Sequence, residues 1–401
     1  MPRLQVLTAP NDLEYYGRDW TRHWVPAPLA IALPTTVEEV QAIVRWANEW
    51  KVAIVPSGGR TGLSGGAVAA HGELVLSLER MNRVLHFDPV DRLLSVQPGI
   101  TLQAVHAFAR EHGLIYPVDL ASRGSCSIGG NIATNAGGIR VVRHGSTRDW
   151  IAGLKVVTGV GDLLDLNRGL VKNSSGYDFR HLMIGSEGTL GVVVEALLKL
   201  AEPMPGSQVM LLALPDAEAL MHVFDLFRAR LSLQAFEFFS DRALAHVLAH
   251  GAQRVLDGDH PYYVIVEFDA ADEAAQKCGV QIFAAAQEQG WVSDGVIAQS
   301  DAQASALWRL REGITESLAP CKPYKSDVSV RIGVLPEFMR EMQAVLTSEC
   351  PHVEVVWFGH IGDGNMHINV LRPEAIAEDA FAQLCERVTA LLASTMHRYG
   401  G

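Results

Sequence analysis

The chain has 401 residues, with 33 Lys or Arg against 45 Asp or Glu, a formal net charge of −12. Hydrophobic residues make up 48%, which excludes a disordered chain, and the length calls for two domains or one with a large insert. The acidic balance argues against nucleic acid or an anionic membrane as the main partner, because both reward clustered Lys and Arg.

No run reaches the roughly 18 uninterrupted apolar residues of a membrane-spanning helix. The five cysteines are scattered and form no C-x-x-C pair, so a reduced, cytoplasmic protein is expected rather than a disulfide or cysteine–zinc scaffold.

In chain order, Pro34-Thr35-Thr36 ahead of Glu38-Glu39 predicts a helix start. The helix spans Val37–Trp50, with Val40, Ile43, Val44 and Ala47 on one face. Strand-like runs follow at Val52–Val55, Glu73–Leu78, Leu93–Gln97, Leu154–Thr158 and Gly191–Leu200, with a helix Leu102–His112 stopped by Gly113. Few long helices alternate with these strands, so a doubly wound parallel sheet is not indicated. The prolines of Glu202-Pro203-Met204-Pro205-Gly206 break the pattern. They divide the expected domains into 1–203 and 204–401. Beyond them, strands Gln208–Leu214, Gln234–Phe239 and Pro261–Phe268 alternate with helices Ala217–Leu231, Asp241–His250 and Glu273–Gln289. That order predicts a ferredoxin-like α+β domain.

The glycines gather in three loops: Pro56–Gly66, Arg123–Gly138 and Gly185–Gly191. Glycine backbone takes positive φ freely and can turn successive N–H groups into one anion-binding concavity. None of the loops is a Walker loop or a Rossmann fingerprint. One such loop alone reads as a tight connection, but three fit a large dinucleotide contacted from several sides.

Near the C-terminus, Val353–Phe358 and Met366–Val370 read as strands around Gly359-His360-Ile361-Gly362-Asp363-Gly364-Asn365, which carries the Asp-Gly signal of a hairpin. Pairing the strands brings His360 near His367, and Asn369 shares a face with His367. The set is either the start of a metal or acid–base site or two hydrogen-bonded histidines at a turn; Asp363 reads as a turn builder. Upstream, Arg311 and Thr315 are four apart, with Lys325 ten residues on. They form either two cationic holds for a dicarboxylate or a solvated helix face.

The first loop, the run Pro117-Val118-Asp119-Leu120-Ala121-Ser122-Arg123-Gly124-Ser125 through Asn135-Ala136-Gly137-Gly138, and Lys172-Asn173-Ser174-Ser175-Gly176-Tyr177-Asp178 resemble the FAD-linked 2-hydroxy-acid dehydrogenases. These are flavoproteins of the vanillyl-alcohol oxidase type, and the resemblance runs from about Asp19 to the C-terminus. It implies a split FAD-binding domain followed by a cap domain. Arg80-Met81-Asn82-Arg83-Val84 and Ala133-Thr134-Asn135 resemble most the members that oxidise D-2-hydroxyglutarate; D-lactate or glycolate oxidation is the alternative.

By the same resemblance, FAD is held by Pro56, Gly58, Gly59, Arg60, Thr61, Gly62, Leu63 and Gly65 of the first loop. Pro117, Gly124, Ser125, Ile128, Gly129, Gly130, Asn131, Thr134, Asn135, Gly137 and Gly138 of the second run and Glu187 and Gly188 of the third complete its site. Some members tether FAD through a first-loop histidine, but positions 56–66 hold no His or Cys and Leu63 stands in that place, so FAD is expected to be non-covalent. Arg143 and His144 are candidates for neutralising phosphate, or are merely solvated.

The resemblance further implies that His360 and His367 ligate a divalent metal, usually zinc, and that Arg311, Thr315, Lys325 and Asn369 contact the substrate. The family's base is a histidine beside a glutamate metal ligand, in a Ser-Ala-Glu-His-Gly type segment after a Gly-Gly. The chain reads Gly400-Gly401 and stops, so no catalytic base is expected within it, and a flavin-binding protein without turnover is the alternative. The expected partners are a small D-2-hydroxy acid and an acceptor such as an electron-transfer flavoprotein or quinone, with a homodimer as a possible assembly.

Overall fold

A computed structural model describes residues 4–21, 24–204 and 206–401. The chain forms two compact units, one running to Gly138 and resuming over His144–Pro203, the other joining Ile139–Arg143 to Met204–Gly401.

In the first unit, strands β1 (Gln5–Leu7), β2 (Ala30–Leu33), β3 (Ile54–Ser57) and β4 (Leu74–Ser77) form a sheet ordered β1-β2-β4-β3, with β4 parallel to both β2 and β3. The helix Val37–Trp50 starts from a full capping box between Thr36 and Glu39, which satisfies two of the backbone donors that every helix start leaves unpaired. Its buried face, Val40, Ile43, Val44 and Ala47, follows the helical spacing of the sequence. Three of these residues, Val40, Ile43 and Val44, pack with Leu74, Leu76, Val157 and Val192. A second sheet is antiparallel, from β5 (Val84–Asp88), β6 (Leu93–Val96), β7 (Ile151–Thr158), β8 (Leu163–Leu166) and β9 (Gly191–Lys199), ordered β5-β6-β9-β7-β8.

The second unit is one seven-stranded antiparallel sheet. Its strands are β10 (Ser207–Leu214), β11 (Leu233–Ser240), β12 (Tyr262–Asp269), β13 (Asp294–Ile297), β14 (Tyr324–Ser329), β15 (Glu354–His360) and β16 (Asn365–Leu371), in the order β13-β10-β12-β11-β15-β16-β14. The first four strands give the interleaved order of a ferredoxin-like motif. Helices Ala217–Arg230 and Glu273–Glu288 cover one face of the sheet, and Asp241–Ala249 and Asp301–Glu312 cover the other. The histidine hairpin β15–β16 continues this same sheet, because β15 pairs with β11.

The five residues Ile139–Arg143 were read with the first domain but belong to the second unit. Arg140 lies 3.0 Å from Glu267 and Arg143 3.1 Å from Asp269. Ion pairs of this kind join residues far apart in sequence and leave no local pattern to read.

Candidate active site

In the first unit the three glycine loops meet at one cleft. Its walls include Pro56, Ser57 and Gly58 of the first loop, Ser127, Gly129 and Gly130 of the second, and Ser186, Glu187 and Gly188 of the third. The loops touch so closely that two glycines are obligatory. A Cβ on Gly59 would stand 2.1 Å from the Ser125 carbonyl oxygen, and one on Gly188, whose φ is +77°, would stand 2.9 Å from Pro56 Cγ. Ser57 Oγ in the wall, and Asn131 Nδ2 beside Gly130, are buried without a hydrogen-bond partner. Orphaned polar atoms beside a glycine cradle suit a polar dinucleotide, so the residues present fit FAD.

The other candidates of these loops are not among the residues of the cleft wall. The Arg60 guanidinium lies 4.6 and 4.7 Å from the ring centres of Tyr15 and Tyr16, against which it packs. Gly65 N–H donates to buried Asp19 at 2.8 Å, and the Gly62 carbonyl accepts from Trp20 at 3.2 Å. Thr61 is partly buried and Leu63 exposed. Ile128 is fully buried in a short helix capped by Ser127, and Pro117 is buried as well. Thr134 donates to the Gly130 carbonyl. Asn135, at φ +48°, accepts from Ser146 Oγ and Arg148 N–H. Gly138 closes against the Asp119 carbonyl, while Gly124 is exposed and Gly137 half-buried.

Arg143 and His144, considered for neutralising phosphate or as solvated side chains, are not among the residues of the cleft wall. Arg143 pairs with Asp269, and the His144 carbonyl accepts from Trp150 Nε1 at 2.8 Å. Ser57, Ser127 and Ser186 stand beside the glycines in the cleft wall.

In the second unit, the strand registers set a polar cluster on one face of the sheet. Lys325 lies opposite Asn369, Asp327 opposite His367, Phe358 opposite His367, and Glu237 opposite His360. Alternation by two puts these side chains on the same side. His360 Nδ1 donates to Glu237 Oε1 at 2.7 Å, and His367 Nδ1 lies 3.5 Å from Asp327. The two Nε2 atoms face each other 3.2 Å apart. Asp363 closes the turn by accepting from the Asn365 N–H at 3.0 Å. Burial, with Glu237 and Asp327 adding to it and His360 only partly opposing, pushes its carboxyl up to about 6.

Arg311 closes the cluster from the helix Asp301–Glu312. It is 6% exposed; its Nη2 sits 2.9 Å from Glu237 and its guanidinium 4.9 Å from the Phe358 ring centre. Its Nε and Nη2 still lack aligned hydrogen-bond acceptors. Burial lowers its pKa, and the Glu237 carboxylate works against that. Burial also tends to raise Glu237, but His360 and Arg311 outweigh it and leave the group below its ordinary value. Lys325 is depressed by burial, and Asn369 is 3% exposed.

Thr315 departs from the expected shared helical face. Gly313 ends the helix at Glu312, the next helix opens at Ile314, and Thr315 is exposed while Arg311 is buried. Glu237 went unnoticed because polar residues in a strand read as its solvent side, whereas this strand is covered on both faces.

Among the described residues, no group of three or more His, Cys, Asp or Glu side chains is set to hold a metal ion. The histidine pair supplies two donors. With both Nδ1 atoms turned to carboxylates, the Nε2 atoms meet lone pair to lone pair unless a proton or cation lies between them. Two nitrogens each about 2.0–2.1 Å from a tetrahedral zinc would stand about 3.3 Å apart, so the pair fits two positions of such a site.

Known proteins resemble the chain over both units. Residues 28–167 match the model of an FAD binding domain, and residues 205–401 the model of the C-terminal domain of FAD linked oxidases. A D-2-hydroxyglutarate dehydrogenase of Xanthomonas citri pv. viticola is 67% identical over 401 residues, covering 100% of this chain and 85% of its own. One from Stutzerimonas stutzeri is 50% identical, covering 99% of this chain and 86% of its own. Among solved structures, p-cresol methylhydroxylase with substrate bound superposes with a TM-score of 0.73 at 15% identity, over 97% of this chain and 83% of that one. Alkyldihydroxyacetonephosphate synthase gives 0.72 at 18% identity, over 94% and 72%. At such identities these two structures speak for the fold alone, an α+β fold of the vanillyl-alcohol oxidase type.

Proposed function

The chain belongs to the FAD-linked oxidase family and is an FAD-dependent dehydrogenase, and from that premise we propose that it oxidises D-2-hydroxyglutarate to 2-oxoglutarate. The observation that carries this reading is Arg311, a buried guanidinium whose Nη2 is ion-paired with Glu237 while its Nε has no hydrogen-bond acceptor, on the sheet face that also holds Lys325, Asn369 and the histidine pair. A buried cation with open donors calls for an anionic ligand. Two separated cations call for two carboxylates. The relatives named D-2-hydroxyglutarate dehydrogenase support the same substrate.

In this reading Arg311 and Asn369 hold one carboxylate and the half-buried Lys325 receives the other. FAD, in the cleft of the three glycine loops, supplies the hydride acceptor. Positions 56–66 hold no His or Cys that could tether the flavin, which supports non-covalent binding. A divalent metal such as zinc would be held by His360 and His367, and there would acidify the substrate hydroxyl. Re-oxidation by an electron-transfer flavoprotein or a quinone is part of the proposal. Among the described residues no helix is long and apolar enough to cross a membrane.

The test is a panel of D-2-hydroxy acids mixed anaerobically with the FAD-loaded protein. D-2-hydroxyglutarate should bleach the flavin at lower concentration than D-lactate or glycolate; equal or stronger bleaching by a monocarboxylate would overturn the dicarboxylate assignment.

A further inference from the structure

We propose that Glu237 is a positioning residue that ties the His360 imidazole and the Arg311 guanidinium into one unit, fixing the tautomer of the first and the aim of the second. The inference deepens the function proposed above and rests on it for the substrate and metal. The geometry itself does not depend on either.

Glu237 occupies an interior strand of the seven-stranded sheet, flanked by β12 and β15, and is 1% exposed. Its neighbours on that face, Phe239 and Ile265, are apolar core residues. An aliphatic side chain would satisfy packing there, whereas a carboxylate is costly to bury without partners. It has one partner per oxygen: His360 Nδ1 hydrogen-bonds Oε1 at 2.7 Å, and Arg311 Nη2 forms an ion pair with Oε2 at 2.9 Å without hydrogen-bond alignment.

A carboxylate can only accept, so Nδ1 of His360 carries the hydrogen and the Nε2 lone pair points to His367. That is the tautomer a metal or a hydroxyl proton requires. The other oxygen holds the Arg311 fork to one side, leaving its remaining donors for a substrate carboxylate. One side chain thus sets both halves of the site.

Glu237→Gln separates this role from simple packing, since the amide is nearly isosteric. Its NH₂ can donate to Nδ1, which releases the tautomer, and it removes the charge facing Arg311. Two readouts test it on the full chain loaded with FAD. In metal-free protein, ¹⁵N NMR of the histidines should show Nε2 of His360 unprotonated in the wild type and protonated to a large extent in E237Q. In a Zn²⁺ titration against a competing chelator, E237Q should bind about 10–100-fold more weakly, the usual effect of losing an outer partner of a ligating histidine.

A folded E237Q with the wild-type His360 nitrogen pattern and wild-type Zn²⁺ affinity would overturn the inference. Should E237Q fail to fold, Glu237→Leu is read the same way, because it fills the strand position with no acceptor for the His360 Nδ1 hydrogen and no charge facing Arg311. Wild-type protein that takes up no Zn²⁺ counts against the metal alone, and the NMR pattern then decides for or against Glu237.

Discussion

His360 and His367 face each other through Nε2 atoms 3.2 Å apart, while the Nδ1 atom of His360 meets Glu237 and that of His367 lies near Asp327. Carboxylates behind both rings turn the two lone pairs inward, and burial lowers the His367 pKa, against the pull of Asp327. Neutral imidazoles converging on one point are what a cation needs.

Removing either ring should therefore remove metal binding. His360→Ala and His367→Ala should each lose at least the roughly 10–100-fold that an outer-shell change costs, measured as zinc per chain after gel filtration. FAD content should stay at the wild-type level, because the glycine loops belong to the other compact unit.

Lys325→Ala should weaken a dicarboxylate by about 1–3 kcal/mol, the scale of losing a charge-assisted hydrogen bond, and leave D-lactate almost unchanged. The measurement is KM for both substrates.

The same lysine predicts a pH dependence. Burial lowers its pKa in the folded protein, so its charge opposes folding wherever both states are protonated. Stability should rise as pH passes the folded value toward the unfolded one, where only the unfolded chain still holds the proton. Substrate binding has the opposite sign: a carboxylate favours charged Lys325, so KM for the dicarboxylate should climb above the depressed pKa. Denaturant titrations and KM values for the wild type and Lys325→Met across that range check both trends, which the variant should lose.

Gly59→Ala should push the first two glycine loops apart, since the new Cβ would meet the Ser125 carbonyl oxygen at 2.1 Å. Overpacking of this kind costs about 1–3 kcal/mol, seen here as weaker FAD binding in fluorescence titration.

Local features of this fold were legible in the sequence. The helix Val37–Trp50 announced itself through Thr36, Glu39 and its apolar spacing, and the Asp363-Gly364 pair marked the histidine turn, where Gly364 has φ +79°. Contacts between distant segments were not. Glu237 and His360 are 123 residues apart, and nothing local distinguishes a buried strand glutamate from a solvated one. The break at Gly313 likewise hid that Arg311 turns inward while Thr315 stays at the surface. Strands β13 and β14 are short edges without strong alternation, so the full width of the sheet emerged only from the pairing.

The central claim is a two-electron oxidation of D-2-hydroxyglutarate by bound FAD. A single anaerobic turnover with substrate deuterated at C2 tests it most directly. The account predicts one 2-oxoglutarate formed per flavin reduced, with flavin bleaching slowed by the deuterium. Full flavin binding with no 2-oxoglutarate and no bleaching, in zinc-supplied protein, would contradict it.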